Sequence, residues 1–361
     1  NCPGLHSAEE PWTPVEAEKL FGLSKEYGVP IDAAEFTNEP NMMEETGFPK
    51  GYTPEHYRRD QDLFFKWLKA NYPECIAVGP STTGGDNISF GKGNEDAAAG
   101  GIEQLAMQTC DCADLLDGTT EPLEVFSYHY YNGVSERLAS VMPNAHWSAE
   151  EANSEAYLET AINFARTYAP LRDKYVPGGE MWVTESGDAG GGGDTWASTY
   201  LDVLRTLNEL AGFSVITNGV IFHNTLASSD YGFLAREVFD PRPNYFAVLL
   251  WNRLMGATVY DTKEPVRYGA HVYAHSRKDG KEGLVYLVIN NSLEDVTSVE
   301  LPKEAEVYML AGEDGNMRAS VMTLNGTPLV LGENNAVPEM NPVKVEGVLE
   351  VAPGSCAFIV L

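Results

Sequence analysis

Two glutamates carry the chemistry that this sequence offers. Residues 31–37, Ile-Asp-Ala-Ala-Glu-Phe-Thr, are mostly small, apolar or β-compatible, and Asn38-Glu39-Pro40-Asn41 follows with a carboxylate beside amides and a proline that ends a strand. Far along the chain, Met181-Trp-Val-Thr-Glu185 is again a short apolar run closed by a carboxylate, followed by the glycine-rich Ser186-Gly-Asp-Ala-Gly190. An isolated Asn-Glu-Pro is an ordinary turn signal. A second strand ending in a glutamate changes its meaning, because two carboxylates facing each other across a cleft can cleave a glycosidic bond. One protonates the leaving oxygen and the other attacks the anomeric carbon, which requires carboxyl groups roughly 5 to 5.5 Å apart. Glu39 is the candidate acid/base and must carry its proton when the substrate arrives, which a neighbouring carboxylate and partial burial favour. Glu185 is the candidate nucleophile.

Thr37-Asn-Glu-Pro-Asn41 followed by Trp182-Val-Thr-Glu185 resembles the fourth-strand and seventh-strand motifs of clan A retaining glycoside hydrolases. Ser127-Tyr-His-Tyr-Tyr-Asn132, the 185–193 loop, Ser229-Asp-Tyr-Gly232 and Asp240-Pro-Arg-Pro-Asn-Tyr245 extend the resemblance to glycoside hydrolase family 79, the heparanase and β-glucuronidase family. The resemblance implies that Asn38 bonds the sugar 2-hydroxyl. It also implies that His129 and Tyr131 belong to the sixth-strand motif, with Tyr131 against the nucleophile, and that Tyr231, with Ser229 and Gly232, holds a uronate carboxylate. Two positions depart from the pattern: Ser229-Asp230-Tyr231 stands where heparanase has Gly-Asn-Tyr, and His223 replaces a glutamine. The basic clusters that grip sulfated chains are not evident, so short or unsulfated glucuronides are the expected substrates. The expected activity is removal of β-linked glucuronic acid, or its 4-O-methyl form, with a carbohydrate as partner. The alternatives are another clan A activity, such as a β-xylosidase or arabinofuranosidase, and a carbohydrate-binding fragment without turnover.

Strands that present such residues need helices between them. Thr13-Pro-Val-Glu16 reads as a capping box before Ala17, Leu20 and Phe21 at helical spacing, and Thr53-Pro-Glu-His56 opens a helix through Tyr57, Gln61, Phe64 and Leu68. Strands are expected from 31, 76, 124, 181 and 214, with helices near 102–109, 150–168, 196–207 and 246–254. That alternation is the grammar of a parallel α/β barrel, whose catalytic groups sit at the carboxyl ends of its strands. Beyond residue 257 the hydrophobic period changes to two, with a hairpin at 271–289 and short strands after it, which predicts an all-β sandwich. The expected organisation is a (β/α)8 TIM barrel over 1–256 and a sandwich over 257–361. The resemblance makes the strand at 31 the fourth of eight, so the first three strands are expected in a further N-terminal segment of roughly 100 residues or more, covalent or as a second chain.

Composition narrows the partners. With 24 Lys and Arg against 53 Asp and Glu, the formal charge is −29, which repels nucleic acid and heavily sulfated polymers at long range. No run approaches the roughly 18 apolar residues of a membrane span, so no membrane partner is expected. The five cysteines, Cys2, Cys75, Cys110, Cys112 and Cys356, form no paired framework. Cys110-Asp-Cys112 lacks zinc spacing, the histidines are scattered, and the four glycines 190–193 precede no Lys-Ser/Thr pair. Neither a metal nor a nucleotide cofactor is expected.

Overall fold

The computed structural model describes residues 4–86, 109–263 and 267–361. The helix expected near 102–109 and Cys2 lie outside these residues. The chain forms two compact units. The first comprises Asn1–Tyr130, Asn163–Ser186 and Ile216–His223, and the second comprises Tyr131–Ile162, Gly187–Val215 and Asn224–Leu361.

A five-stranded parallel sheet organises the first unit, with β1 (Ala33–Glu35), β2 (Ile76–Thr83), β3 (Val125–Val134), β4 (Glu180–Gly190) and β5 (Ile221–His223) side by side in chain order. The helices in chain order are α1 (Val15–Glu26), α2 (Pro54–Asn71), α3 (Cys112–Leu116), α4 (Glu155–Tyr175), α5 (Leu201–Ile216) and α6 (Pro243–Leu254). Parallel neighbours in sequential order demand such crossovers, and repeating them in one hand curls the sheet. Among the described residues, nothing pairs with the outer edges of β1 and β5.

Aromatic packing seats the first helices. Trp12 meets Phe64 edge-on at 5.4 Å, Phe21 meets Trp67 at 5.3 Å, and Phe36 lies 5.5 Å from Phe64. Each such pair contributes about 0.5 to 1.5 kcal/mol beyond its buried area. Helix α2 begins where its sequence requires, with His56 Nδ1 reaching back to the Thr53 backbone N–H at 3.1 Å. Two local expectations differ. Pro14, not Thr13, holds the cap position of α1, and no side chain closes that cap. The strand expected from 214 is only Ile221–His223, because α5 continues through Ile216 and Thr217-Asn-Gly219 must turn the chain.

The second unit is built on antiparallel sheet: β6 (Met255–Tyr260), β7 (His271–Arg277), β8 (Leu284–Asn290), β9 (Thr297–Glu300), β10 (Ala305–Gly312), β11 (Met322–Leu324), β12 (Thr327–Pro328), β13 (Val343–Val345), β14 (Val348–Val351) and β15 (Ser355–Val360). The large sheet runs β12-β11-β10-β15-β8-β7-β6, with β13 also on β10, while β14 and β9 pair separately. The two-residue period divides β15 cleanly. Cys356, Phe358 and Val360 pack with Leu204 and Leu207 of α5 and Phe246 and Leu250 of α6, whereas Ala357 and Ile359 pack with Leu349 and Val351 of β14. No helix among the described residues is long and apolar enough to cross a membrane.

Candidate active site

The first unit brings Glu39, His129 and Glu185 together. The two-residue alternation of β3 puts Ser127 and His129 on one face, while Tyr128 on the other stacks on Tyr168 at 4.4 Å and Tyr130 meets Phe164 at 5.0 Å. His129 Nδ1 lies 3.0 Å from Glu39 Oε1 and 3.5 Å from Glu185 Oε2. One donor atom from each of the three residues lies within 4.8 Å of the others. The side chains of Glu39 and Glu185 are 16% and 27% exposed, against 3% for His129, so a ligand can reach both carboxylates but scarcely the imidazole. Burial opposes the imidazolium, but the hydrogen bond to Glu39 and the charges of Glu185, Glu39 and Glu35 outweigh it and hold His129 above the usual histidine range.

The turn that carries Glu39 is tightly specified. Glu39 sits in the left-handed region at φ 45°, ψ 57°, which a non-glycine residue adopts only when its surroundings impose it. Its carbonyl accepts from Met42 N at 3.0 Å and from Thr46 Oγ1 at 3.3 Å. Asn41, fully buried, donates from Nδ2 to Thr83 O at 2.9 Å and accepts from Thr83 N at 3.1 Å, tying the turn to the end of β2. Asn38 is exposed at the mouth of the same turn. On β4, Ser186 follows Glu185, donates to Phe222 O at 3.1 Å and pairs in register with His223 of β5.

The other sequence-selected residues lie in the second unit. Tyr131 and Tyr231 stack with centroids 6.2 Å apart, and Asn224 Nδ2 donates to both hydroxyls, at 3.0 and 3.3 Å. Gly187 and Gly193 lie against these rings; a Cβ on Gly193 would come within 2.8 Å of the Tyr231 ring. Ser229 and Gly232 flank Tyr231 in a turn closed by Thr225 Oγ1, which donates to Ser228 O at 2.7 Å. His129, an expected substrate contact, has its ring against the two carboxylates. The bonds of Asn41 and Asn224 carry no mark in the sequence beyond nearness to Glu39 and His223.

The convergence of two carboxylates and an imidazole has two chemical uses. Among the described residues it is the group able to hold a metal ion, and two carboxylates this close are also of the kind that can serve as an acid/base and nucleophile pair, which needs none.

No family profile matches the chain. Baicalin-β-D-glucuronidase of Scutellaria baicalensis is 30% identical over 275 residues, covering 73% of this chain and 49% of that protein. The inactive heparanase-2 of Homo sapiens is 24% identical over 402 residues, covering the whole of this chain and 62% of that protein. The chain spans about half the length of several curated relatives that it matches. Among solved structures, a 4-O-α-L-rhamnosyl-β-D-glucuronidase from Fusarium oxysporum superimposes with a TM-score of 0.64 at 12% identity, over 96% of this chain and 74% of that one. The shared fold is that of the clan A barrel glycosidases.

Proposed function

From a chain that belongs with the β-glucuronidase and heparanase-like proteins of glycoside hydrolase family 79, we propose a retaining hydrolase that removes β-linked glucuronic acid, or its 4-O-methyl form, by double displacement. The observation that carries the reading is the approach of the Glu39 and Glu185 carboxylates, with donor atoms within 4.8 Å, both open to a ligand. Such nearness suits direct attack on the anomeric carbon, whereas an inverting pair leaves room for an intervening water.

In the first step a Glu185 oxygen bonds to the anomeric carbon as the glycosidic C–O bond breaks, and the departing oxygen takes the Glu39 proton. In the second, Glu39 takes a proton from water while the water oxygen displaces Glu185, which returns as carboxylate. Asn38, exposed beside Glu39, suits a bond to the sugar 2-hydroxyl. His129, with Nδ1 3.0 Å from Glu39 Oε1 and 3.5 Å from Glu185 Oε2, is placed to orient both side chains. His223, Tyr131, Tyr231, Ser229 and Gly232 are proposed to line the sugar subsite, with Tyr231 and its loop at the uronate carboxylate. The β-glucuronidase named among the relatives supports that choice of sugar.

The same reading covers the architecture. Outer edges of β1 and β5 that pair with nothing among the described residues, and exposed Leu20, Leu23 and Tyr27 on α1, suit a sheet that further parallel strands close into an eight-stranded barrel. The antiparallel sheets suit a sandwich domain. A mechanism-based glucuronide label tests the function: peptide mass analysis is expected to find it on Glu185, with release of the β-anomer in product NMR. Label on another residue, or an inverted product, overturns the mechanism. The heparanase-2 likeness favours one rival, sugar binding without turnover, which the absence of any label with retained glucuronide binding would establish.

A further inference from the structure

Arg242 lies in Asp240-Pro-Arg-Pro243, a stretch that the catalytic reading leaves unused, at the cap position of α6. Its Nη1 donates to three backbone carbonyls of one loop: Ser229 O at 3.0 Å, Asp230 O at 2.6 Å and Gly232 O at 3.0 Å. Its own N–H donates to Phe233 O at 2.9 Å, and Leu234 pairs with Pro241, so the arginine is anchored to the far end of the same loop. The loop is demanding. Ser229 has a φ of 65°, and a Cβ on Gly232 would come within 2.6 Å of Ser228 O. Three carbonyl oxygens brought to one point repel one another unless a cation lies between them, and a delocalised guanidinium on a fixed stem does this without a flexible ammonium's loss of freedom.

Because the Asp230 carbonyl points at Arg242, the N–H of Tyr231 points to the opposite side of the same peptide plane. The neighbouring peptides are fixed in the same way: Asp230 N donates to Gly192 O at 2.9 Å and Phe233 N to Thr225 O at 3.1 Å. Arg137 adds a second tie, donating from Nη1 to Gly193 O at 2.6 Å and pairing with Asp230. Collecting the carbonyls on one side turns the amide at Tyr231 to the other. We propose that Arg242 is a positioning residue that sets the preference for a carboxylate-bearing sugar, by holding residues 229–232 in the shape that presents Tyr231 and its amide to the carboxylate. This rests on the reading that this loop meets the uronate, and it assigns a role to a residue that does not touch the sugar.

The test compares the full-length protein with its Arg242→Met, Arg242→Gln and Arg242→Lys variants on nitrophenyl β-D-glucuronide and β-D-glucoside. In Arg242→Met and Arg242→Gln the glucuronide-to-glucoside ratio of kcat/KM should fall roughly ten- to a hundredfold, through a higher KM for the glucuronide, with glucoside values little changed. Arg242→Lys should show a smaller fall, because the ammonium keeps the charge and the donors but sits on a shorter, more flexible stem. A parent without preference for the glucuronide overturns the uronate reading. A selective parent whose folded Met and Gln variants keep its ratio overturns the role of Arg242 alone. Should those two variants fail to fold, the Lys variant decides: an intermediate fall supports the proposal, and the parent's ratio overturns it.

Discussion

His129 Nδ1 lies 3.0 Å from the carboxylate of Glu39, which precedes it by 90 residues. Burial penalises the imidazolium, but the Glu39 hydrogen bond and the nearby carboxylate charges win, so its folded pKa lies above the ordinary 6.5. A raised folded pKa contributes stability that is fully present below pH 6.5 and is lost as pH rises through the folded value. Urea midpoints measured from about pH 5 to about pH 9 should therefore fall for the parent over the stretch above pH 6.5, while His129→Gln shows a flatter profile. Parallel profiles would mean that the ring does not titrate with folding.

The two glutamates should fail differently. Glu39→Ala should cost roughly 10²- to 10⁴-fold on glycosides with poor leaving groups and far less on nitrophenyl glycosides, which need no protonation. Glu185→Ala should lose turnover on both, because no covalent intermediate can form. Steady-state kinetics on the two substrate classes check this, and equal loss in both variants on the activated substrate contradicts the roles.

Asn41 should matter to the rate without touching the substrate. Asn41→Ala removes the donor to Thr83 O and the acceptor for Thr83 N in a fully buried place, so it should destabilise the protein by about 1 to 3 kcal/mol. Releasing the Glu39 turn should also lower kcat while KM changes little, as expected of a misplaced acid. A destabilised variant with normal kcat would confine Asn41 to structure.

Acid should loosen the second unit at one place. Glu155 Oε1 lies 2.9 Å from His271 Nε2 and accepts from Asn291 Nδ2 at 2.7 Å. Burial opposes the carboxylate, but the His271 and Asn291 bonds outweigh it and hold its pKa below the usual 4.5. A depressed pKa gives stability that is present above 4.5 and is lost as pH falls through the folded value. Glu155→Gln should remove about 1 kcal/mol at neutral pH, a small figure because the carboxylate is partly exposed, and nearly nothing at low pH. Thermal melts at both pH values check this; equal losses would contradict the linkage.

Much of this protein is local in origin and was legible in its residues. Strand-forming runs leading to Glu39 and Glu185, the helical spacing after Thr53, and the change to a two-residue period past 257 all depend on neighbours within a few positions, although β1 stops at Glu35 and β4 runs past Glu185 to Gly190. Such patterns survive folding because side-chain direction repeats with the backbone. The same locality explains the errors at the margins: nothing near Ser214 says whether α5 has ended, and the helix runs on to Ile216.

Only the tertiary structure decided which polar groups meet. His129 faces the two glutamates because parallel register sets β3 beside β2 and the alternation of β3 turns that ring to their side, and a shift of one residue would have turned it away. The three carbonyls on Arg242 and the link from Asn41 to Thr83 arise in the same way. Each depends on where a loop closes in space, and a loop's path is set by the elements at its ends more than by its own composition.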